Sequence, residues 1–248
     1  MQPTESPNGA QTLQTSRRRL VFDTLGIAAS AGGFGLVYGL AARSAGLSTV
    51  EVAAMSGLVF SGGAQFAALG YIAAGAPWAA IVLVTAFINS RHLLYGAAMA
   101  PYLANRSAGM KALMAHVLND ETFAISLAHF RRIGRADVTG YWMGALGGTV
   151  VPWIGASIVG ATLAGNIPEP ARFGLDVIFP AAMAGLAVGL ITYRRELVAA
   201  LTGALVGVAA ALAWDPAAGI VVGGIVGPLV GLAIPGPTMP DPEGSATP

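Results

Sequence analysis

The sequence predicts an all-α, polytopic transmembrane bundle of about eight helices, with broken helices and possible internal repeats. Of 248 residues, 55% are hydrophobic and only 10% are charged, against about 25% charged in ordinary soluble domains. So few charges cannot cover a water-facing surface. The apolar residues fall into repeated blocks near the ~20 residues that a helix needs to cross a ~30 Å hydrocarbon layer. Glycine is present 34 times, about twice its usual share and without the period of collagen. In lipid, so small a residue lets helix backbones meet.

Apolar segments run at 22–42, 52–74, 77–103, 111–130, 138–163, 173–192, 196–213 and 216–235, which gives eight crossings. The polar stretch 1–19 and the Pro-rich stretch 236–248 read as disordered tails around a transmembrane domain at 20–235. The fourth segment carries His116, Asn119, Asp120, Glu121 and His129; without it the count is seven. Charge placement favours eight. With the N-terminus cytoplasmic, eight cations lie inside (Arg17, Arg18, Arg19, Arg131, Arg132, Arg135, Arg194 and Arg195) and four outside (Arg43, Arg106, Lys111 and Arg172). The run Arg17-Arg18-Arg19 before an apolar stretch looks like an export signal, but Asp23 interrupts the stretch and no cleavage site follows, so removal is not expected.

Several function classes are disfavoured. Cysteine is absent and the three histidines are scattered, so neither a metal site nor a cofactor is expected. The net charge is +1 with cations at segment ends, which does not fit nucleic acid. Met55-Ser56-Gly57 lacks the preceding glycine of a nucleophile elbow, so no catalytic residue is assigned. An intramembrane enzyme, or a membrane assembly subunit that transports nothing, is the alternative to a carrier.

In a membrane helix the polar groups are the informative ones, because each unpaired one costs several kcal/mol in hydrocarbon. Three clusters qualify. Gly62, Gly63, Gln65 and Phe66 interrupt the second segment; they form either part of a site or a close helix crossing with Gln65 bonded to a neighbouring backbone. Asn89, Arg91 and His92 interrupt the third, and a guanidinium there needs an acid or a wet cavity unless it reaches the headgroups. Asp120 and Glu121 in the fourth could supply that acid. Two adjacent carboxylates in a low-dielectric site repel, which would raise one pKa and allow proton coupling; as helix-cap residues they would have no such role. Elsewhere Gly219, Gly223, Gly227 and Gly231 form one glycine face, and Gly35/Gly39, Gly140/Gly144, Gly185/Gly189 and Gly203/Gly207 repeat the small-xxx-small pattern of packed helices.

Five strings, GGFGLVYG at 32–39, MSGLVFSGGAQFAALG at 55–70, FINSRHLLYGAAMAPYL at 87–103, HVLNDETFA at 116–124 and GLDVIFPAAMAGL at 174–186, resemble the AzlC-type branched-chain amino acid permease family in content and order. The resemblance implies export of leucine, isoleucine, valine or related apolar amino acids across a bacterial inner membrane, with a small AzlD-type membrane subunit as partner. That family is usually counted near seven spans, against the eight expected here. A zwitterionic substrate needs a cation for its carboxylate and an acceptor for its ammonium. Arg91 suits the first role and Asp120 or Glu121 the second. Gln65 and the Gly62-Gly63 backbone are expected to line the same cavity, with the substrate side chain among Phe66, Phe87 and Phe123. A faint echo between segment two, with Glu51, and segment six, with Asp176, hints at two related halves.

Overall fold

The computed structural model describes residues 7–166, 188 and 191–235. Among these, α1 (Pro7–Ser44) is followed by three pairs of short helices. The pairs are α2 (Thr49–Leu58) with α3 (Gly62–Ala73), α4 (Trp78–Asn89) with α5 (Arg91–Leu103), and α6 (Ala108–His116) with α7 (Asp120–Ile133). Next, α8 (Val138–Gly144) passes through a π-helical stretch (Ala145–Val150) into α9 (Val151–Gly165). These helices form one compact unit, and α10 (Arg194–Ala213) and α11 (Pro216–Leu232) belong to another.

The 38 residues of α1, at 1.5 Å each, span about 57 Å, well beyond a ~30 Å hydrocarbon layer. The helix starts at Pro7, inside the stretch 1–19 read from sequence as a disordered tail. Within that stretch, Ser16 and Arg17 make tertiary contacts that local composition does not reveal, to His129 and Asp137.

Four helices among the described residues are long and apolar enough to cross a membrane: Thr12–Ser44, Trp78–Leu103, Val138–Gly165 and Arg194–Ala213. The eight expected crossings are therefore not eight continuous helices. Segment two is split into helices of 10 and 12 residues and segment four into helices of 9 and 14, each short of the ~20 that span a bilayer. Apart from residues 188, 191 and 192, segment 173–192, with Asp176, lies outside the described residues, as does the stretch 236–248.

Each break has a local cause. At the first, Phe60 adopts a φ of 43°, a left-handed conformation that costs an L side chain about 1–2 kcal/mol. At the second, the Ser90 N–H and hydroxyl both donate to the Phe87 carbonyl, at 3.2 and 2.7 Å, tightening the turn and competing with the ladder. At the third, Asn119 caps α7, its Oδ1 accepting the Thr122 N–H at 2.9 Å. Asp120 and Glu121 occupy the first turn of α7 and Arg131 and Arg132 its last, the arrangement a helix dipole favours. The helix stops at Gly134, whose φ is 70°.

Backbone contact rather than apolar burial joins the long helices, as expected where lipid is as apolar as leucine. A Cβ on Gly39 would stand 2.1 Å from the Ser157 carbonyl oxygen, and one on Gly160 2.3 Å from that of Leu36, so α1 and α9 touch directly. In the second unit, Gly203 and Gly207 of α10 face Gly219, Gly223 and Gly227 of α11; a Cβ on Gly223 would lie 2.5 Å from the Gly203 carbonyl oxygen. Tyr38, Phe66 and Trp153 tie α1, α3 and α9 together, with ring centroids 5.6 to 6.3 Å apart.

Candidate functional site

The three helix breaks are linked to one another in a ring. The Ser61 hydroxyl, in the first, donates to Asn89 Oδ1, in the second, at 2.7 Å. Arg91, opening α5 after the second break, has its Nη1 2.9 Å from Asp120 Oδ2 at the third. His116, at the end of α6, closes the ring by donating from Nε2 to the Gly57 carbonyl in the last turn of α2, at 2.9 Å. The polar residues that interrupt three apolar segments thus meet.

Within this ring Asp120 has two partners, since the Tyr95 hydroxyl donates to its Oδ1 at 2.5 Å. Tyr95 in turn stacks on Phe123 at 4.4 Å. The side chains of Arg91 and Asp120 are 35% and 43% exposed, so the pair can be reached rather than being sealed in a core. Arg91 Nε is buried without a hydrogen-bond partner, which leaves the guanidinium with donor capacity beyond the aspartate. Gly63 lies beside the same group: a Cβ there would be 3.7 Å from Arg91 Nη2.

The other residues picked out by sequence make different contacts. His92 folds back on its own turn, donating from Nδ1 to the Asn89 carbonyl at 2.9 Å. Glu121 is exposed at the start of α7. Gln65 is fully buried, with Oε1 accepting from Trp153 Nε1 at 3.1 Å and Nε2 3.5 Å from Ser56 Oγ. Gly62 lies under the same indole, which a Cβ would approach to 2.9 Å. Phe66 packs against Tyr38 and Trp153, Phe123 against Tyr95, and Phe87 is exposed, so the three phenylalanines do not form one pocket wall. A cavity of about 220 Å³ lies between α5, α6 and α8, and none of the residues picked from sequence lines it.

Sequence reasoning missed a second polar cluster, at the end of the bundle near the start of α8. Arg17 holds Asp137 with two bonds, Nε to Oδ2 at 2.7 Å and Nη2 to Oδ1 at 2.6 Å. His129, fully buried, sits between Asp137 Oδ2 and Ser16 Oγ, 2.9 Å from each. Burial raises the Asp137 carboxyl, but hydrogen bonds from Arg17, His129 and the Gly140 N–H outweigh it and hold the group well below the usual carboxylate range. Gly140 makes the room, since a Cβ there would come within 2.7 Å of both Asp137 and His129. Ser16, His129 and Asp137 have the composition of a hydrolytic triad, yet the imidazole is sealed and the aspartate is committed to Arg17, so the cluster ties α1, α7 and α8 together. A signal was present: Asp137 is an acid immediately before an apolar run, with an arginine-rich stretch expected on the same side.

Residues 26–167 match the family model described as AzlC protein, a stretch that includes all three breaks and the Arg91–Asp120 pair. The chain belongs to the AzlC family. It is 30% identical over 178 residues to "Inner membrane protein YgaZ" of Escherichia coli (strain K12), covering 69% of this chain and 72% of that protein. It is 26% identical over 194 residues to an "Uncharacterized membrane protein" of Archaeoglobus fulgidus, covering 78% and 84%. No solved structure matches it significantly. With four apolar helices of spanning length and relatives named as membrane proteins, this is a multi-pass membrane protein of a permease-type family.

Proposed function

We propose that the chain is the large subunit of a secondary carrier that exports branched-chain or related apolar amino acids, coupled to protons and completed by a small AzlD-type membrane subunit. The observation that carries this reading is the Arg91–Asp120 ion pair at the junction of three broken helices. A membrane protein holds a charge pair among interrupted helices at a cost, and carriers use such places to meet a zwitterion: the guanidinium takes the carboxylate, and the carboxylate takes the ammonium. The Arg91 side chain, 35% exposed, can be reached by a substrate. Gly63, Asn89 and His92 border the site, while Gly62, Gln65 and Phe66 shape it from behind through Trp153. Asp120 or Glu121 carries the coupling proton. The inner membrane as location is supported by the name of the Escherichia coli relative, and a cytoplasmic N-terminus by the distribution of arginines.

The test is flux of labelled leucine into or out of proteoliposomes, with and without the small subunit and with and without a pH gradient. Leucine accumulation that depends on the gradient and on the subunit is expected. Hydrolytic activity without flux would support an intramembrane enzyme, and complex formation without flux an assembly subunit.

A further inference from the structure

The Arg91–Asp120 pair addresses only the charged end of an amino acid, and the three phenylalanines assigned from sequence to its apolar end do not come together. The cavity of about 220 Å³ has the composition for that end. Met99, Met114, Leu118, Ala100 and Gly96 are among its lining residues. Methionine adapts its shape to irregular apolar groups, and the two small residues on α5 leave the space open. At about 30 Å³ per water in the liquid, the volume equals roughly seven waters. That suits the side chain of one amino acid.

The cavity's lining packs against residues that hold the ion pair. Tyr95 and Phe123 pack against the cluster of Met99, Met114, Leu118 and Tyr141 that faces the cavity, and the Tyr95 hydroxyl is bonded to Asp120. Leu118 stands in the same helix break that ends at Asp120. Along α5, Gly96 lies about 7.5 Å from Arg91 and about 140° round the helix, with Tyr95 on the face between them at about 40° from Arg91. The far end lies at the α5–α6 turn, where Lys111, also in the lining, donates from Nζ to the Ala104 carbonyl at 3.1 Å.

We infer that this cavity receives the apolar side chain of the amino acid whose charged groups meet Arg91 and Asp120, with Gly96 and Ala100 setting its size limit and Tyr95 dividing the two compartments. The inference rests on the carrier reading above. A Cβ added at Gly96, which lines the cavity and is exposed, meets nothing within 4 Å, so a larger side chain there does not collide with the fold.

The experiment combines flux with chemical protection. Gly96→Leu and Ala100→Leu should each lower the ratio of leucine flux to alanine flux in proteoliposomes by about tenfold or more, the usual effect of crowding an apolar pocket. The chain has no cysteine, so Ala100→Cys supplies a single thiol, and leucine should slow its reaction with a water-soluble maleimide. An unchanged flux ratio in both filled variants, with wild-type transport intact, overturns the pocket and leaves the carrier standing. Protection by leucine in a protein that moves no amino acid leaves the pocket standing and overturns the carrier. Reaction with a lipid-soluble maleimide alone, without protection, gives the cavity to acyl chains and overturns the inference.

Discussion

Arg91 and Asp120 come from different interrupted helices, yet their charged groups stand 2.9 Å apart. Each therefore has a distinct expected phenotype. Asp120→Asn mimics the protonated acid: if Asp120 carries the coupling proton, exchange of leucine across the membrane persists while accumulation against a gradient is lost. Glu121→Gln should show that pattern only if the proton resides there instead. Arg91→Lys keeps the charge but loses the planar fork, and should raise the half-saturating leucine concentration by about tenfold. Accumulation with unaltered pH dependence in both acid variants would reduce the carboxylates to helix caps.

The Asp137 cluster predicts an acid limb in stability. A carboxyl held low in the folded protein binds its proton less readily there than in the unfolded chain, where the value is about 3.9. Its contribution is complete above that value and fades as pH falls through the lower, folded one. Thermal unfolding should therefore be insensitive to this group above about pH 5 and weaken below about pH 4. Asp137→Asn should cost about 2 kcal/mol at neutral pH, less than the ~3–5 of a fully buried pair, because Arg17 is 33% exposed, and should flatten the acid limb. A variant with wild-type stability at pH 7 would remove the cluster from the fold's supports.

Glycine positions in α1 should divide sharply. Gly39→Ala places a methyl 2.1 Å from the Ser157 carbonyl oxygen and should destabilise by about 1–3 kcal/mol, as overpacking does. At Gly33 nothing lies within 4 Å, so Gly33→Ala should cost nothing in the same thermal unfolding measurement in detergent. Equal effects at both positions would mean that α1 and α9 do not touch.

Labelling can read topology without a prior cysteine knock-out, since the chain has none. Single cysteines at Arg131, just before the α8–α9 span, and at Asn166, just after it, should react from opposite sides of a sealed vesicle. With a cytoplasmic N-terminus, Arg131→Cys labels from inside. Reaction of both from one side would contradict a crossing at Val138–Gly165.

The second and third breaks were legible because Asn89-Ser90 and Asn119 end or cap helices for local reasons, whereas the first falls at 59–61, just before the Gly62-Gly63 pair that opens α3. The pairing of Arg91 with an acid was legible from the cost of an unpaired guanidinium in lipid. Which acid was not, because Asp120 and Glu121 are adjacent and point about 100° apart on a helix, and only packing decides between them. Gln65 could not be assigned to Trp153, 88 positions away, and His129 could not be assigned to Ser16 and Asp137, since neither partnership leaves a periodicity. Helix α1 was placed too late for the same reason: Ser16 and Arg17, read as part of a tail, bond to His129 and Asp137, which their own composition does not reveal.

Where Gly39 and Gly160 bring α1 and α9 into backbone contact, neither helix can roll or slide without a carbonyl striking its neighbour. That pair is a fixed spine. The interrupted helices lack a continuous ladder at 59–61, at 90 and at 117–119, and a chain bends most cheaply where such bonds are already missing. Stiffness here comes from side chains left out and compliance from backbone bonds left out, so a stroke that opens the Arg91–Asp120 pair would pivot at those three joints while the spine stays still.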